Sequence, residues 1–281
     1  MSKRTKRRRA LGTAGLVAVL VVLSTVVAPL ASARPAHEIP VVENPGGELA
    51  QPDGTGWQDV PAADVDLTSA PSSVPNADDT TIERVDVQAA TTDQRLYVRL
   101  QWTDATQDAN ATSIRNFTDA VAVQFPANRS ARPPIAMGGP DNMVNVWYWG
   151  GDTGTQELLA GGAGSTTPFQ TPAVDTNATY QGSGANATWT VVYSRPVDAP
   201  GENRTAISED GDLDVAIAVW NGSNDERAGQ KAVSEWHYFP LDGGPGGPPY
   251  ETLLWTIAGL AVVAITAVTA FGIHRARGGM D

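Results

Sequence analysis

The chain of 281 residues has no cysteine, three histidines and three lysines. Each shortage excludes a chemistry. Without thiols there are no disulfides, no cysteine-held iron–sulfur clusters, no zinc–cysteine sites and no covalently attached c-type haem. His37, His237 and His274 are too few and too scattered for a histidine-rich metal centre. No glycine-rich phosphate loop and no G-x-S-x-G elbow is present, which leans away from a nucleotide enzyme or a hydrolase. Lys3 and Lys6 lie at the extreme N-terminus, so Lys231 is the one lysine of the remaining chain, where every other basic side chain is arginine. Arginine stays protonated in proteins and cannot replace an amine as a metal ligand.

The two ends read differently. Residues 1–33 have the form of an export signal: six basic residues from Lys3 to Arg9, an apolar run over 11–27, and the small-residue site Ala31-Ser32-Ala33. The arginine run loosely matches a twin-arginine signal, and an uncleaved anchor is the alternative. Residues 253–273 are uncharged and long enough to cross a membrane, which takes about 20 helical residues. Tyr250 and Trp255 suit the outer interface, and His274, Arg275 and Arg277 the cytoplasmic one. The positive-inside rule therefore places the domain outside the cell and the tail, 274–281, inside.

The net charge is −12, and −18 once the six basic residues of 1–33 are set aside. A general nucleic-acid binder, which needs a basic footprint, is excluded. Low lysine with high aspartate suggests adaptation to high salt, as in a halophile; an acidic surface that keeps an extracellular domain soluble is the plainer alternative. Seven N-x-S/T sequons, at Asn110, Asn116, Asn128, Asn177, Asn186, Asn203 and Asn221, all fall in the segment expected outside.

Between the ends lies enough chain for one sizeable core. Residues 34–79 are rich in Pro, Asp and Ser and predict a loop-rich part with one or two short strands, anchored by Trp57. Residues 80–241 carry strand patterns. Leu96, Val98, Leu100 and Trp102 alternate with Tyr97, Arg99 and Gln101, which predicts a half-buried strand over 95–102. A strand over 83–90 precedes it through a hairpin turn at 91–94. Further strands are predicted over 120–125, 144–149, 188–193, 215–220 and 233–239. The expected fold class is all-β: an antiparallel β-sandwich with one C-terminal transmembrane helix, joined by a Gly/Pro linker over 242–252.

Two residues stand out within this domain. Met137 sits in Pro133-Pro134-Ile135-Ala136-Met137-Gly138-Gly139, where prolines stiffen the approach and glycines let backbone come close to a flat ligand. Lys231 falls at a loop–strand junction. Taken singly, Met137 reads more readily as a gap-filling core residue, and Lys231 as a surface charge, than either does as a ligand.

The chain resembles the haem-binding gamma subunits of the ethylbenzene dehydrogenase type, a family that also serves dimethyl sulfide dehydrogenase and chlorate, selenate and some archaeal nitrate reductases. The resemblance is carried by Trp102-Thr103-Asp104, Phe117 to Pro126, Ile135-Ala136-Met137-Gly138, Val144 to Trp149, Val192 to Pro196, Ala218 to Ser223 and Glu226 to Trp236. It implies a non-covalent haem b in a β-sandwich, with Met137 and Lys231 as the axial ligands of the iron. Met143 and His237 are the competing ligands. It further implies an electron-transfer subunit without catalysis of its own, working with the molybdenum catalytic subunit and the iron–sulfur subunit of a DMSO-reductase-family complex. A quinol-oxidising cytochrome or a blue-copper protein would be the other carrier. The membrane tether in a salt-adapted, haloarchaeal chain favours a respiratory nitrate reductase. The rival reading is a membrane-tethered carbohydrate-binding module using Trp147, Tyr148 and Trp149. On a strand, however, Tyr148 points away from the other two. A structural surface glycoprotein is the third.

Overall fold

The computed structural model describes residues 37–241 except 130, 200 and 208–210. The expected signal, linker, membrane span and tail lie outside the described residues, and no described helix is long and apolar enough to cross a membrane. The strands are β1 (Val41–Glu43), β2 (Ala63–Asp66), β3 (Thr68–Ser69), β4 (Arg84–Thr91), β5 (Arg95–Thr103), β6 (Ala120–Pro126), β7 (Val144–Gly150), β8 (Gly154–Ala160), β9 (Thr167–Pro168), β10 (Asp175–Gln181), β11 (Thr188–Pro196), β12 (Asp212–Trp220), β13 (Ala232–Val233) and β14 (His237–Pro240). They form two sheets. The first runs β1-β4-β5-β11-β10 with β2 beside β4, and the second runs β3-β13-β12-β6-β7-β8-β9 with β14 beside β12. The sandwich is antiparallel except where β1 pairs in parallel with β4.

Period-two alternation builds the core. Leu96, Val98, Leu100 and Trp102 of β5 are at most 2% exposed and face Val121, Val123 and Phe125 of β6 and Val215, Ile217 and Val219 of β12 in one cluster. Side chains of successive residues leave a strand on opposite faces, so each of these strands also offers an outer face. On the first sheet that outer face is covered by the N-terminal segment. Leu49, Trp57 and Val60 pack on Ala90 and Val192, and the Trp57 indole donates to the carbonyls of Leu49 and Gln51, both at 3.1 Å. Three short strands, rather than one or two, lie in this segment.

Three strands were not predicted, the two-residue β9 and the longer β8 and β10, and none of them shows apolar alternation. In β8 the inward position is Glu157, fully buried, which accepts from Arg204 at 3.0–3.1 Å, Ala173 N at 2.8 Å and Asn145 at 3.2 Å. Strand β10 is a polar edge strand.

The strand expected over 233–239 is broken. Ala218 pairs with Val233, yet Val215 pairs with His237, so β12 advances three residues while the partner advances four. This is a β-bulge, one extra residue that kinks the ladder. Ser234 accommodates it: its hydroxyl accepts from Ile217 N at 2.9 Å, and its own N–H donates to Ile217 O at 2.9 Å. The extra residue exchanges the faces. Before it, Ala232 is an inward position; after it, His237 and Phe239 are the inward ones.

Candidate functional site

Among the described residues no other sheet covers the outer face of the second sheet, and small residues make that face shallow. In the β6–β12 register Ala216 opposes Gln124, Ala218 opposes Ala122 and Trp220 opposes Ala120. Opposed residues share a face, so a floor of alanine methyl groups results. Strand β7 extends it with Val146 and Tyr148, and β8 with Leu158. Trp220 stands against Tyr148 edge to face at 5.7 Å between centroids and, with Trp236, walls the floor.

The loop between β6 and β7 folds back over this floor. Gln124 holds the carbonyl of Ile135 at 2.9 Å, the Trp236 indole holds that of Pro133 at 3.1 Å, and Gly162 N holds that of Met137 at 2.9 Å. Met137 adopts φ 66 in the left-handed region. A residue with a Cβ is disfavoured there by about 1–2 kcal/mol. Gly138 follows at φ +74, where a Cβ would lie 2.6 Å from Asn142 O. Backbone strain at a non-glycine residue marks a position that its surroundings over-determine.

Lys231 arrives from the opposite side, one residue before β13. By the alternation that turns Ala232 inward, Lys231 faces the outer floor. It is 9% exposed, and its Nζ donates to Met137 Sδ at 3.6 Å and lies 4.9 Å from the centre of the Trp220 ring. Among the described residues no carboxylate is paired with it. Burial alone pushes its amine down from 10.5 to about 8. A buried amine without a counter-charge is costly when protonated. The pair thus offers two lone-pair donors, one thioether and one readily neutralised amine, above an apolar plate. A flat apolar cofactor whose metal accepts a thioether and an amine fits the chemistry of this donor set.

The competing residues are elsewhere. His237 lies beyond the bulge and turns inward beside Val215; its Nδ1 is 3.0 Å from Glu235 O, its ring meets His37 at 5.2 Å, and burial pushes it down. Met143 borders a separate polar cleft of about 780 Å³, with Asn128, Arg129 and Asp141, in which neither Met137 nor Lys231 takes part. Trp147 is fully buried and Trp149 packs on Trp189 at 5.0 Å, so Trp147, Tyr148 and Trp149 form no exposed platform.

Sequence reasoning missed the walls, Trp220, Tyr148 and Trp236, although all lie in the segments that carry the family resemblance. It also missed two buried carboxyls at one end of the core. Asp119 accepts from Asp108 N at 2.8 Å, Gly222 N at 2.9 Å and the Trp189 indole at 2.8 Å. Burial first, and the charge of Asp104 with it, pushes Asp119 up to about 7. Asp104 is 3% exposed, is also pushed up by burial, and its Oδ2 has no other partner. The repeated Thr-Asp step at the ends of two strand patterns was the available signal. Among the described residues no group of three or more His, Asp or Glu is arranged to hold a metal ion.

The sequence matches the family model described as ethylbenzene dehydrogenase over residues 55–171 and 163–232. It is 50% identical, over 98% of this chain and 99% of the other, to a protein of Haloferax mediterranei provisionally named a respiratory nitrate reductase heme subunit. It is 34% identical to the chlorate reductase subunit gamma of Ideonella dechloratans, over 70% of this chain and 82% of that one. It is 32% identical to the dimethylsulfide dehydrogenase subunit gamma of Rhodovulum sulfidophilum, over 71% and 79%. Among solved structures, a family 9 carbohydrate binding module from Caldicellulosiruptor kristjanssonii aligns over 75% of this chain and 100% of that one, at 9% identity and a TM-score of 0.41. That likeness carries nothing about ligand.

Proposed function

The chain belongs to the ethylbenzene dehydrogenase family, and we propose that it is the haem b-binding, electron-transferring subunit of a molybdenum oxidoreductase complex, with a respiratory nitrate reductase the favoured version. The observation that carries this reading is the buried Lys231 amine, 3.6 Å from the Met137 thioether and without a carboxylate partner among the described residues. Met137 Sδ and Lys231 Nζ would ligate the haem iron, and the alanine floor with the Trp220, Tyr148 and Trp236 side chains would supply the apolar surface of the site. When bound, the haem supplies a one-electron ferric–ferrous couple.

The side chains set what that couple is used for. Lysine donates only when neutral, and burial prepares it by disfavouring the ammonium form. A thioether is a weak donor that favours the reduced metal and so raises the potential. A haem ligated by these two protein donors would relay electrons rather than take substrate. Nothing in its composition holds molybdenum or iron–sulfur clusters, so the catalytic and iron–sulfur subunits are partners. The other carrier is a quinol-oxidising cytochrome or a blue-copper protein. Residues 253–273 anchor the complex, with the domain outside and residues 274–281 in the cytoplasm.

The test is the absorption spectrum of the full chain produced with haem available. A Soret band and reduced b-type bands are expected, and Met137→Ala and Lys231→Ala should each displace them. Absence of a Soret band, or one unchanged in both variants, overturns the assignment.

A further inference from the structure

Lys231 is delivered by a loop, residues 221–230, that leaves β12 next to Trp220 and turns through two left-handed residues, Asp225 at φ 55 and Ala228 at φ 51. Such a loop needs mooring if the amine is to stay over the floor. The mooring is Glu226, 1% exposed. Its Oε1 accepts from Thr81 N at 3.0 Å, Thr81 Oγ1 at 3.3 Å and Asn224 Nδ2 at 3.2 Å, and its Oε2 accepts from Asn221 N at 3.1 Å. Asn221 Nδ2 in turn donates to Thr81 Oγ1 at 2.8 Å. From this knot the chain runs through Gln230, whose amide donates to Asp79 O at 3.0 Å, directly into Lys231.

Every contact to the carboxylate is a donor, and no cation is paired with it among the described residues. Only an ionised carboxylate, which accepts at both oxygens, satisfies such a cage; an amide would set its own N–H against a backbone N–H. We propose that Glu226 is a positioning residue for Lys231: its acceptor-only cage ties the loop to Thr81 and thereby holds the amine buried against Met137. The inference rests on reading Lys231 as a haem ligand. Among the described residues Glu226 forms no ion pair with Lys231, so it acts through place rather than through its charge.

The experiment acylates amines in the haem-free full chain and follows the Lys231 peptide by mass spectrometry, with the α-amine as internal reference. Glu226→Gln should raise Lys231 labelling about tenfold, the factor expected for losing a charge-assisted hydrogen bond. Thr81→Val, which removes one donor and one acceptor from the knot, should raise it by a smaller factor and decides the matter if Glu226→Gln does not fold. With haem added, the Glu226→Gln spectrum should move toward that of Lys231→Ala, and Glu226→Gln should add nothing in the Lys231→Ala background. Unchanged labelling in a folded variant, or a further spectral change in the double variant, overturns the proposal. A wild-type chain without a Soret band would instead overturn the haem reading, while the labelling still reports on the mooring.

Discussion

Haem affinity should depend on pH through Lys231. At its ordinary value of 10.5 the amine would be neutral in about one molecule in 3000 at pH 7; pushed down to about 8, it is neutral in about one in ten. Burial thus raises the donor-competent fraction about 300-fold, equivalent to about 3 kcal/mol at 1.36 kcal/mol per unit. Below pH 8 each haem bound must displace one proton, so affinity should fall about tenfold per pH unit, and above pH 8 it should level off. The haem-free chain shows the matching sign. The folded value lies below the unfolded one, so between about pH 8 and 10.5 the unfolded state binds the extra proton. Stability therefore rises with pH through that window. The assay is a Soret titration with haem at pH 6 to 9, for wild type and for Lys231→Ala. Haem itself and Asp119 also titrate in this range, and the variant carries their contribution alone. The same pH slope in both proteins would refute the reasoning.

Other perturbations separate the parts of the site. Lys231→Arg keeps the charge but offers no lone pair; its spectrum should match that of Lys231→Ala, and a wild-type spectrum would contradict lysine ligation. Met137→Gly should relieve the left-handed strain, so loss of haem without loss of the melting transition is expected, measured by calorimetry beside absorption. Trp57→Ala opens the cluster over the first sheet and should cost about 3–5 kcal/mol in urea unfolding, while leaving the haem spectrum in place, because that cluster lies on the other sheet. Asp119 is raised in the fold, so it adds stability that is present at low pH and lost as pH rises toward 7. Asp104→Asn should flatten the dependence of the urea midpoint over pH 4 to 7 by removing the neighbouring charge.

The first sheet was legible where its strands alternate. Strand β5 presents Leu96, Val98, Leu100 and Trp102 inward as the pattern requires, because burial on one face selects one parity. Strands β8 and β10 were not legible, since a strand whose inward residue is Glu157 carries no period-two hydrophobic signal. Met137 and Lys231 were legible as candidates from scarcity and from family resemblance, whereas the floor was not. Ala120, Ala122, Ala216 and Ala218 are unremarkable residues until the β6–β12 register sets them side by side.

The choice between Lys231 and His237 turns on one residue. Both positions are odd, and a straight strand over 233–239, continued back to Lys231, would present them on the same face. The bulge at Ser234 adds a residue to one side of the ladder, and from there on the odd positions turn inward. His237 is thereby carried to the core side beside His37, and Lys231 keeps the outer side with Trp220 and Met137. A hydrophobic pattern of period two cannot report such a shift, because Ser234 is polar and Trp236 is apolar on either parity. What specifies it is the Ser234 hydroxyl, which takes the Ile217 N–H that a regular ladder would give to a carbonyl. The same shift lets β14 bury Phe239 in the core while β13 leaves Lys231 over the floor. One sequence segment thereby serves both the packing of the sandwich and the site outside it.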